Sequence, residues 1–245
     1  MDESADKGPG SRAILAVIFD LDGVLVDSES WWAESRAAVA RRHGAEWTAA
    51  DEATVKGANT AEWAAEMRER LALPVEAGEV AREVVAAMIG RYSSEGPAGI
   101  EPGLAAVGRL SGRYPLAVAS SAHPDVIEVA LRSLDLADAF RAVVSADEVD
   151  AGKPAPDVYM EAARRLGVPP EGCLVVEDSP SGVRAARSAG MRVIWVGDAA
   201  MAEGPPPGEG SGSTWIWRVA TLDDVDESML GLMADGGGMV GAAPT

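Results

Sequence analysis

The chain has 245 residues, 47% of them hydrophobic, and a formal net charge of -18. This length allows one substantial core with a smaller second domain attached. The negative charge disfavours nucleic acids and anionic membranes as partners, because it would repel their phosphates. A small phosphorylated molecule fits only if a metal ion, a lysine or backbone N–H groups concentrate positive charge at one point.

The N-terminal segment and the cysteine content bear on localisation. Residues 1–12 are acidic and contain Gly and Pro, so we expect a disordered tail with neither a signal peptide nor a membrane span. Cys173 lies in an apolar run and is the only cysteine, which excludes an intramolecular disulfide. Both features predict a protein of the reducing cytoplasm.

Five short apolar runs, each ending on a polar residue, predict buried parallel strands. They are Ile14–Asp20, Leu116–Ser120, Ala142–Asp147, Leu174–Asp178 and Val193–Asp198. Helical spacing between the later runs predicts helices at Pro124–Leu134, Ala155–Leu166 and Ser179–Ala189. This alternation predicts an α/β fold with a doubly wound, Rossmann-like parallel sheet, whose ligand crevice lies at the carboxyl ends of the strands.

Segment 28–96 interrupts the alternation. Three helical patterns follow one another there with no apolar strand between them: Trp31–Arg42, Asn59–Leu73 and Glu76–Tyr92. We therefore predict an inserted helical cap at 28–96, and an α/β core made of 13–27 and 97–234.

The C-terminal part carries weaker signals. A Gly/Pro-rich stretch at 202–213 predicts a surface loop, after which Trp215–Val219 predicts an edge strand and Asp224–Met233 a last helix. We expect residues 235–245 to form a disordered tail.

Two pairs of acids follow predicted strands. Asp20 and Asp22 lie two residues apart, with Gly23 allowing a tight turn, and Glu177 and Asp178 close a later strand. Carboxylates gathered at one sheet edge repel one another without a cation, and a hard cation such as Mg²⁺ prefers oxygen ligands. The sequence therefore predicts a magnesium site formed by these four acids.

The same edge carries the groups that phosphoryl transfer to a carboxylate requires. Asp20 could attack phosphorus, Asp22 could protonate the leaving alcohol, and Lys153 could neutralise the transferring oxygens. Ser120 could donate its hydroxyl to phosphate, and the backbone N–H groups after it could donate as well. Taken alone, Asp22 could instead cap a turn and Lys153 could be a solvated surface residue.

Four segments, in this order, resemble the motifs of the haloacid-dehalogenase superfamily of hydrolases: Asp20–Val24, Ser120–Ser121, Gly152–Asp157 and Glu177–Ser179. The similarity spans about 14–197. It implies that Asp20 forms an aspartyl-phosphate and that Asp22 protonates the leaving group and later activates water. It also implies that Ser120, Ser121 and Lys153 bind phosphate, and that Glu177 with Asp178 secures magnesium.

The insertion resembles the four-helix cap of the subfamily that includes β-phosphoglucomutase and small sugar-phosphate phosphatases. The resemblance implies substrate contacts from Lys56, Gly57 and Asn59, and closure of the cap over a small substrate. Trp32 stands where mutases of the family usually carry a histidine, and their arginine near Thr60 is missing. These departures favour a phosphatase of a small phosphorylated metabolite over the alternative, a β-phosphoglucomutase-like phosphosugar mutase.

A receiver-type signalling domain, which also forms an aspartyl-phosphate on a parallel sheet, is the alternative from another class. The helical insertion and Asp22 argue against it. His43 precedes Gly44 at a predicted helix end, where a structural role is favoured. His123 lies near Ser120 and could face either the phosphate or a surface turn, so we leave it out of the catalytic set.

Overall fold

The computed structural model describes residues 13–197, 216–225 and 229–231. Six parallel strands form one sheet in the order β3-β2-β1-β4-β5-β6. The strands are β1 (Ala16–Phe19), β2 (Leu116–Ser120), β3 (Ala142–Ser145), β4 (Cys173–Glu177), β5 (Arg192–Val196) and β6 (Ile216–Val219).

The position of β1 fixes where a ligand can bind. The chain runs from β1 outward through β2 and β3, then returns to place β4 on the other side of β1. The crevice of a doubly wound sheet opens at such a switch point. The α/β, doubly wound parallel sheet predicted from the sequence is confirmed.

Apolar residues cover both faces of the sheet, which explains why its strands read as continuous hydrophobic runs. Phe19 and Leu174 belong to one buried cluster, and Ile18 and Val175 to the other. The helices that pack against the strands are α5 (Glu101–Ser111), α6 (Pro124–Ser133), α7 (Asp157–Leu166) and α8 (Pro180–Ser188). The sequence did not predict α5, because Pro102, Gly103 and Gly108 weaken its helical signal.

Between β1 and β2 the chain forms four further helices before α5: α1 (Glu29–Arg42), α2 (Ala49–Thr54), α3 (Thr60–Arg70) and α4 (Ala77–Glu95). They occupy the stretch assigned to the cap, although the sequence did not predict the six-residue α2. Trp63, Met67 and Met88 are fully buried among them. The division of the chain into cap and core domains stays a prediction.

Both histidines lie at helix ends. His43 closes α1, and its Nε2 lies 2.9 Å from Glu83 Oε1. His123 precedes α6, and its Nδ1 accepts a hydrogen bond from the backbone N–H of Asp125 at 3.2 Å. His123 therefore caps a helix in this structure and does not line the cavity described below.

Several predictions for the chain ends fall outside the described residues. These are the tails at 1–12 and 235–245, the loop at 202–213, and the residues Asp198 and Trp215. In place of a helix starting at Asp224, Leu222–Asp224 forms a short 3-10 helix, and residues 229–231 are helical. In the described part of the chain, no helix is long and apolar enough to span a bilayer.

Candidate active site

The predicted site residues lie at the carboxyl ends of three neighbouring strands. Asp20 directly follows β1, Ser120 ends β2 and Glu177 ends β4, with Asp178 next in the chain. Because β1 lies between β2 and β4, the ends of these strands meet at the carboxyl edge of the sheet. Asp20, Glu177 and Asp178 each present a carboxylate oxygen, and these oxygens lie within 4.8 Å of one another.

Lys153 is buried against this acidic cluster. Its Nζ lies 2.9 Å from Asp20 Oδ1 and 2.8 Å from Glu177 Oε1, and 4.9 Å from the ring centroid of Tyr159. Burial alone would lower the pKa of Lys153, but Asp20 and Glu177 raise it well above its usual value. The lysine therefore stays charged and gives the site a fixed positive group.

Glu177 is held by hydrogen bonds at both oxygens. Oε1 accepts from Lys153 and from the hydroxyl of Tyr159 at 3.0 Å, and Oε2 accepts from the Ser179 backbone N–H at 2.7 Å and its hydroxyl at 3.0 Å. Burial raises the pKa of Glu177, but Lys153 and the Ser179 bonds outweigh that effect and lower it. A Cβ on Gly182 would lie 1.5 Å from Glu177 Oε1, so the glycine leaves room for this carboxylate.

Asp20 and Asp178 carry negative charge that the lysine does not balance. Burial raises the pKa of Asp20 well above its usual value; Lys153 opposes the shift, while Glu177 and Asp178 add to it. Burial, reinforced by Glu177, raises the pKa of Asp178 to about 7. The cluster could therefore hold a further cation.

Asp22 lies apart from the cluster, although we expected it among the metal ligands. Its Oδ1 accepts hydrogen bonds from the hydroxyl of Ser28 and, at 3.1 Å, from Nε1 of Trp32, and its Oδ2 lies 3.5 Å from the hydroxyl of Ser120. Trp32 belongs to α1, so a helix of the insertion positions this acid. These hydrogen bonds hold the carboxylate outside the Asp20 cluster.

Gly23 lies in the turn that follows Asp22. Its φ is 79°, a conformation that L side chains rarely adopt, and a Cβ there would lie 2.1 Å from Asp178 Oδ2. The close approach of this backbone to Asp178 requires glycine.

The two serines after β2 have different surroundings. Ser120 is fully buried, and its Oγ accepts from the backbone N–H of Ala122 at 3.0 Å. Ser121 lines the cavity and donates its hydroxyl to the carbonyl of Gly57 at 3.0 Å, which joins the end of β2 to the helical insertion.

The loop from Lys56 to Asn59 divides into two parts. Lys56 and Gly57 line the cavity, and Lys56 Nζ lies 2.5 Å from Glu29 Oε1. Asn59 does not line it: its side chain accepts from the Glu62 backbone N–H at 2.9 Å and begins α3. The spacing Asn-x-x-Glu was a readable sign of this helix start. Asn59 therefore caps α3 in this structure, and its contact with a substrate stays a prediction.

A cavity of about 460 Å³ lies between the sheet edge and the insertion. Asp20, Asp22, Lys153 and Asp178 line its floor, and residues of α1 and α2 line the opposite wall. Four side chains that take part in the site were not predicted from the sequence: Ser28, Arg36, Glu52 and Tyr159. The partners of Arg36, Glu52 and Tyr159 lie 16 or 18 residues away in the chain, so no local pattern marks these side chains.

The parallel sheet, the helical insertion and the cluster of carboxylates and a lysine on the cavity floor define an α/β enzyme with an acidic active site. The chain belongs to the haloacid dehalogenase-like hydrolases, whose family model matches residues 14–190. This membership removes the receiver-type signalling domain as an alternative.

Several curated relatives of this chain are named as phosphatases of small metabolites. The chain is 32% identical over 180 residues to a fructose-1-phosphate phosphatase of Escherichia coli, a match covering 73% of this chain and 94% of that protein. It is 34% identical over 198 residues to a probable pseudouridine-5'-phosphatase of Drosophila melanogaster, covering 76% and 83%. Its fold matches the crystal structure of CbbY from Rhodobacter sphaeroides in complex with phosphate, with a TM-score of 0.77, 21% identity, and coverage of 89% and 100%.

Proposed function

We propose that this protein is a magnesium-dependent phosphatase that hydrolyses a phosphate monoester of a small metabolite through an aspartyl-phosphate on Asp20. The observation that carries the proposal is the position of Asp20 on the cavity floor, 2.9 Å from Lys153 and within the carboxylate cluster. The named activities of the relatives support the reaction class.

A divalent cation fits the residues of the cluster. Asp20, Glu177 and Asp178 would hold it, because their oxygens converge and a cation would offset the burial and the repulsion between carboxylates that raise the pKa of Asp20 and of Asp178. When bound, magnesium would neutralise charge on the oxygens of the transferring phosphoryl group. We withdraw Asp22 as a carboxylate ligand, because its hydrogen bonds to Ser28 and Trp32 hold it elsewhere.

The remaining roles follow from position and chemistry. Asp20 attacks phosphorus, and the bond to the leaving alcohol breaks as Asp22 gives that oxygen a proton. Asp22 then takes a proton from the water that hydrolyses the aspartyl-phosphate. Lys153, Ser121 and the backbone N–H groups that follow β2 bind the phosphate. Ser120, which we expected to bind phosphate as well, is fully buried and instead accepts from the Ala122 backbone N–H, so we assign it to support of this turn.

The insertion closes the cavity over the substrate and keeps water from the aspartyl-phosphate until the alcohol leaves. Lys56 and Gly57 contact the substrate at the phosphate end, where Ser121 binds the Gly57 carbonyl. We also place the enzyme in the cytoplasm, which the single, buried Cys173 supports.

The first test is phosphate release from sugar phosphates, phosphoglycolate and nucleotides, with and without magnesium. Asp20→Asn should abolish release while the protein remains folded, and Asp27→Asn, an exposed acid seven residues later, should release phosphate like the wild type. Near-normal release by Asp20→Asn would refute the nucleophile. Absence of release by the wild type, with transfer of phosphate from a sugar bisphosphate, would favour the mutase.

A further inference from the structure

The wall of the cavity opposite Asp20 contains a buried arginine. Arg36 of α1 lines the cavity and is only 7% exposed. Its guanidinium carbon lies 5.1 Å from the ring centroid of Trp32 and 5.0 Å from that of Trp63. The two ring centroids are 6.4 Å apart, so the indoles lie side by side against the guanidinium; they favour a cation there and leave it little freedom to turn toward a ligand.

Glu52 of α2 neutralises this arginine. One of its oxygens forms an ion pair with Nη1 of Arg36, and the other accepts from Nε1 of Trp47 at 2.7 Å. The carboxylate itself lines the cavity and is 25% exposed, so it can still accept a hydrogen bond from a bound molecule. The pair presents a fixed hydrogen-bond acceptor to the cavity, and no free cation.

The same balance holds for every basic side chain that lines the cavity in the described part of the chain. Arg36 pairs with Glu52, Lys56 with Glu29, and Lys153 with Asp20 and Glu177. Lys56 also lies at the phosphate end, because the neighbouring Gly57 carbonyl accepts from Ser121. The wall formed by α1 and α2 thus has no unpaired positive charge for a second phosphate or a carboxylate.

Apart from Ser30, the rest of this wall is apolar. It is lined by Trp32, Trp63, Ala33, Ala49 and Ala53. Aromatic rings pack well against the C–H faces of a carbohydrate or polyol. The hydroxyls of such a molecule can donate to an acceptor at the edge of the rings, such as the Glu52 carboxylate. An anion placed in the same position would lose its hydration beside the Glu52 carboxylate and gain no partner.

We propose that the substrate's leaving group is an uncharged polyol, and that the Arg36–Glu52 pair is the specificity determinant that disfavours a second anionic group. This inference rests on the proposed phosphatase function and defines its substrate class. Glu52 accepts from the polyol hydroxyls, while Arg36 keeps Glu52 in place and does not itself bind the substrate.

The first test compares two esters that differ only at the far end: sorbitol 6-phosphate and 6-phosphogluconate, which carries a carboxylate in place of the terminal alcohol. The wild-type kcat/KM should be at least about tenfold higher for sorbitol 6-phosphate. Equal values, or a preference for 6-phosphogluconate, would overturn the inference without any variant.

The second test exposes the charge of Arg36. Glu52→Gln keeps the side-chain shape but leaves the guanidinium without an anionic partner, so the preference for sorbitol 6-phosphate should fall about tenfold. Glu83→Gln is the matched control, because Glu83 pairs with Arg42 and His43 and does not line the cavity. An unchanged ratio in folded Glu52→Gln protein would refute the role of the pair.

A binding measurement tests this inference independently of the proposed reaction. Asp20→Asn protein should bind sorbitol 6-phosphate more tightly than 6-phosphogluconate, measured by quenching of fluorescence from cavity tryptophans such as Trp32 and Trp63. This preference in binding, with no phosphate release by the wild type, would refute the phosphatase and keep the inference. Absence of binding for both esters would refute the substrate class.

Discussion

Trp32 of α1 donates its indole N–H to the carboxylate of Asp22 across 3.1 Å, and this bond joins the helical insertion to the proposed acid of the sheet edge. Ser28 donates to the same oxygen, so the carboxylate has two fixed donors. Opening of the insertion at α1 would remove one of them. Substrate enclosure and placement of the acid are thereby coupled through one side chain.

Trp32→Phe should lower kcat for an alkyl phosphate about tenfold, because the ring remains but the donor that positions Asp22 is lost. Activity toward p-nitrophenyl phosphate should fall much less, since its leaving group needs no protonation. Steady-state kinetics with both substrates measure the difference. Trp31→Phe is the control, because Trp31 packs on Tyr92 and Arg91. Equal losses for both substrates would mean that Trp32 only shapes the cavity.

Gly23→Ala should destabilise the protein and weaken magnesium binding at least about tenfold, because the new Cβ would lie 2.1 Å from Asp178 Oδ2. Gly44→Ala is the control that introduces backbone strain without a clash. Gly44 has φ of 78° but nothing within 4 Å of its Cβ position, so its replacement should cost only about 1 kcal/mol. Urea unfolding and magnesium titration measure both variants, and identical effects would exclude the contact with Asp178.

Asp178→Asn should stabilise the magnesium-free protein at pH 8 and lose that advantage toward pH 4. Burial and Glu177 raise the pKa of Asp178 from 3.8 to about 7 in the folded protein. The folded state therefore binds more protons than the unfolded state between these values, and stability falls as the pH rises through this window. We expect a gain of roughly 1 to 2 kcal/mol at pH 8, after allowance for partial exposure of the side chain.

Urea unfolding in EDTA at both pH values measures this gain. Added magnesium should reverse the order at pH 8, because it binds and stabilises the wild type but not the variant. If the wild type is more stable than Asp178→Asn in EDTA at pH 8, ionised Asp178 does not destabilise the metal-free protein, and the prediction is wrong.

The sequence alone determined which residues could carry the chemistry and where they would lie. Asp20, Ser120 and Glu177 each end a run of buried apolar residues, and the carboxyl ends of parallel strands must share one edge. Local periodicity also located the long helices α1, α3 and α4. Short or glycine-containing helices, α2 and α5, escaped because their residues carry too weak a local signal.

Only the tertiary structure decided which partners each charged group contacts. It turned Asp22 toward Ser28 and Trp32 and away from the cluster, fixed Glu177 between Lys153 and Tyr159, and placed Glu52 against Arg36. Each of these contacts joins side chains from separate elements, and the direction of a side chain depends on packing that no local pattern contains. The sequence therefore determined the composition of the site, and the packing of the helical insertion on the sheet decided its charge balance.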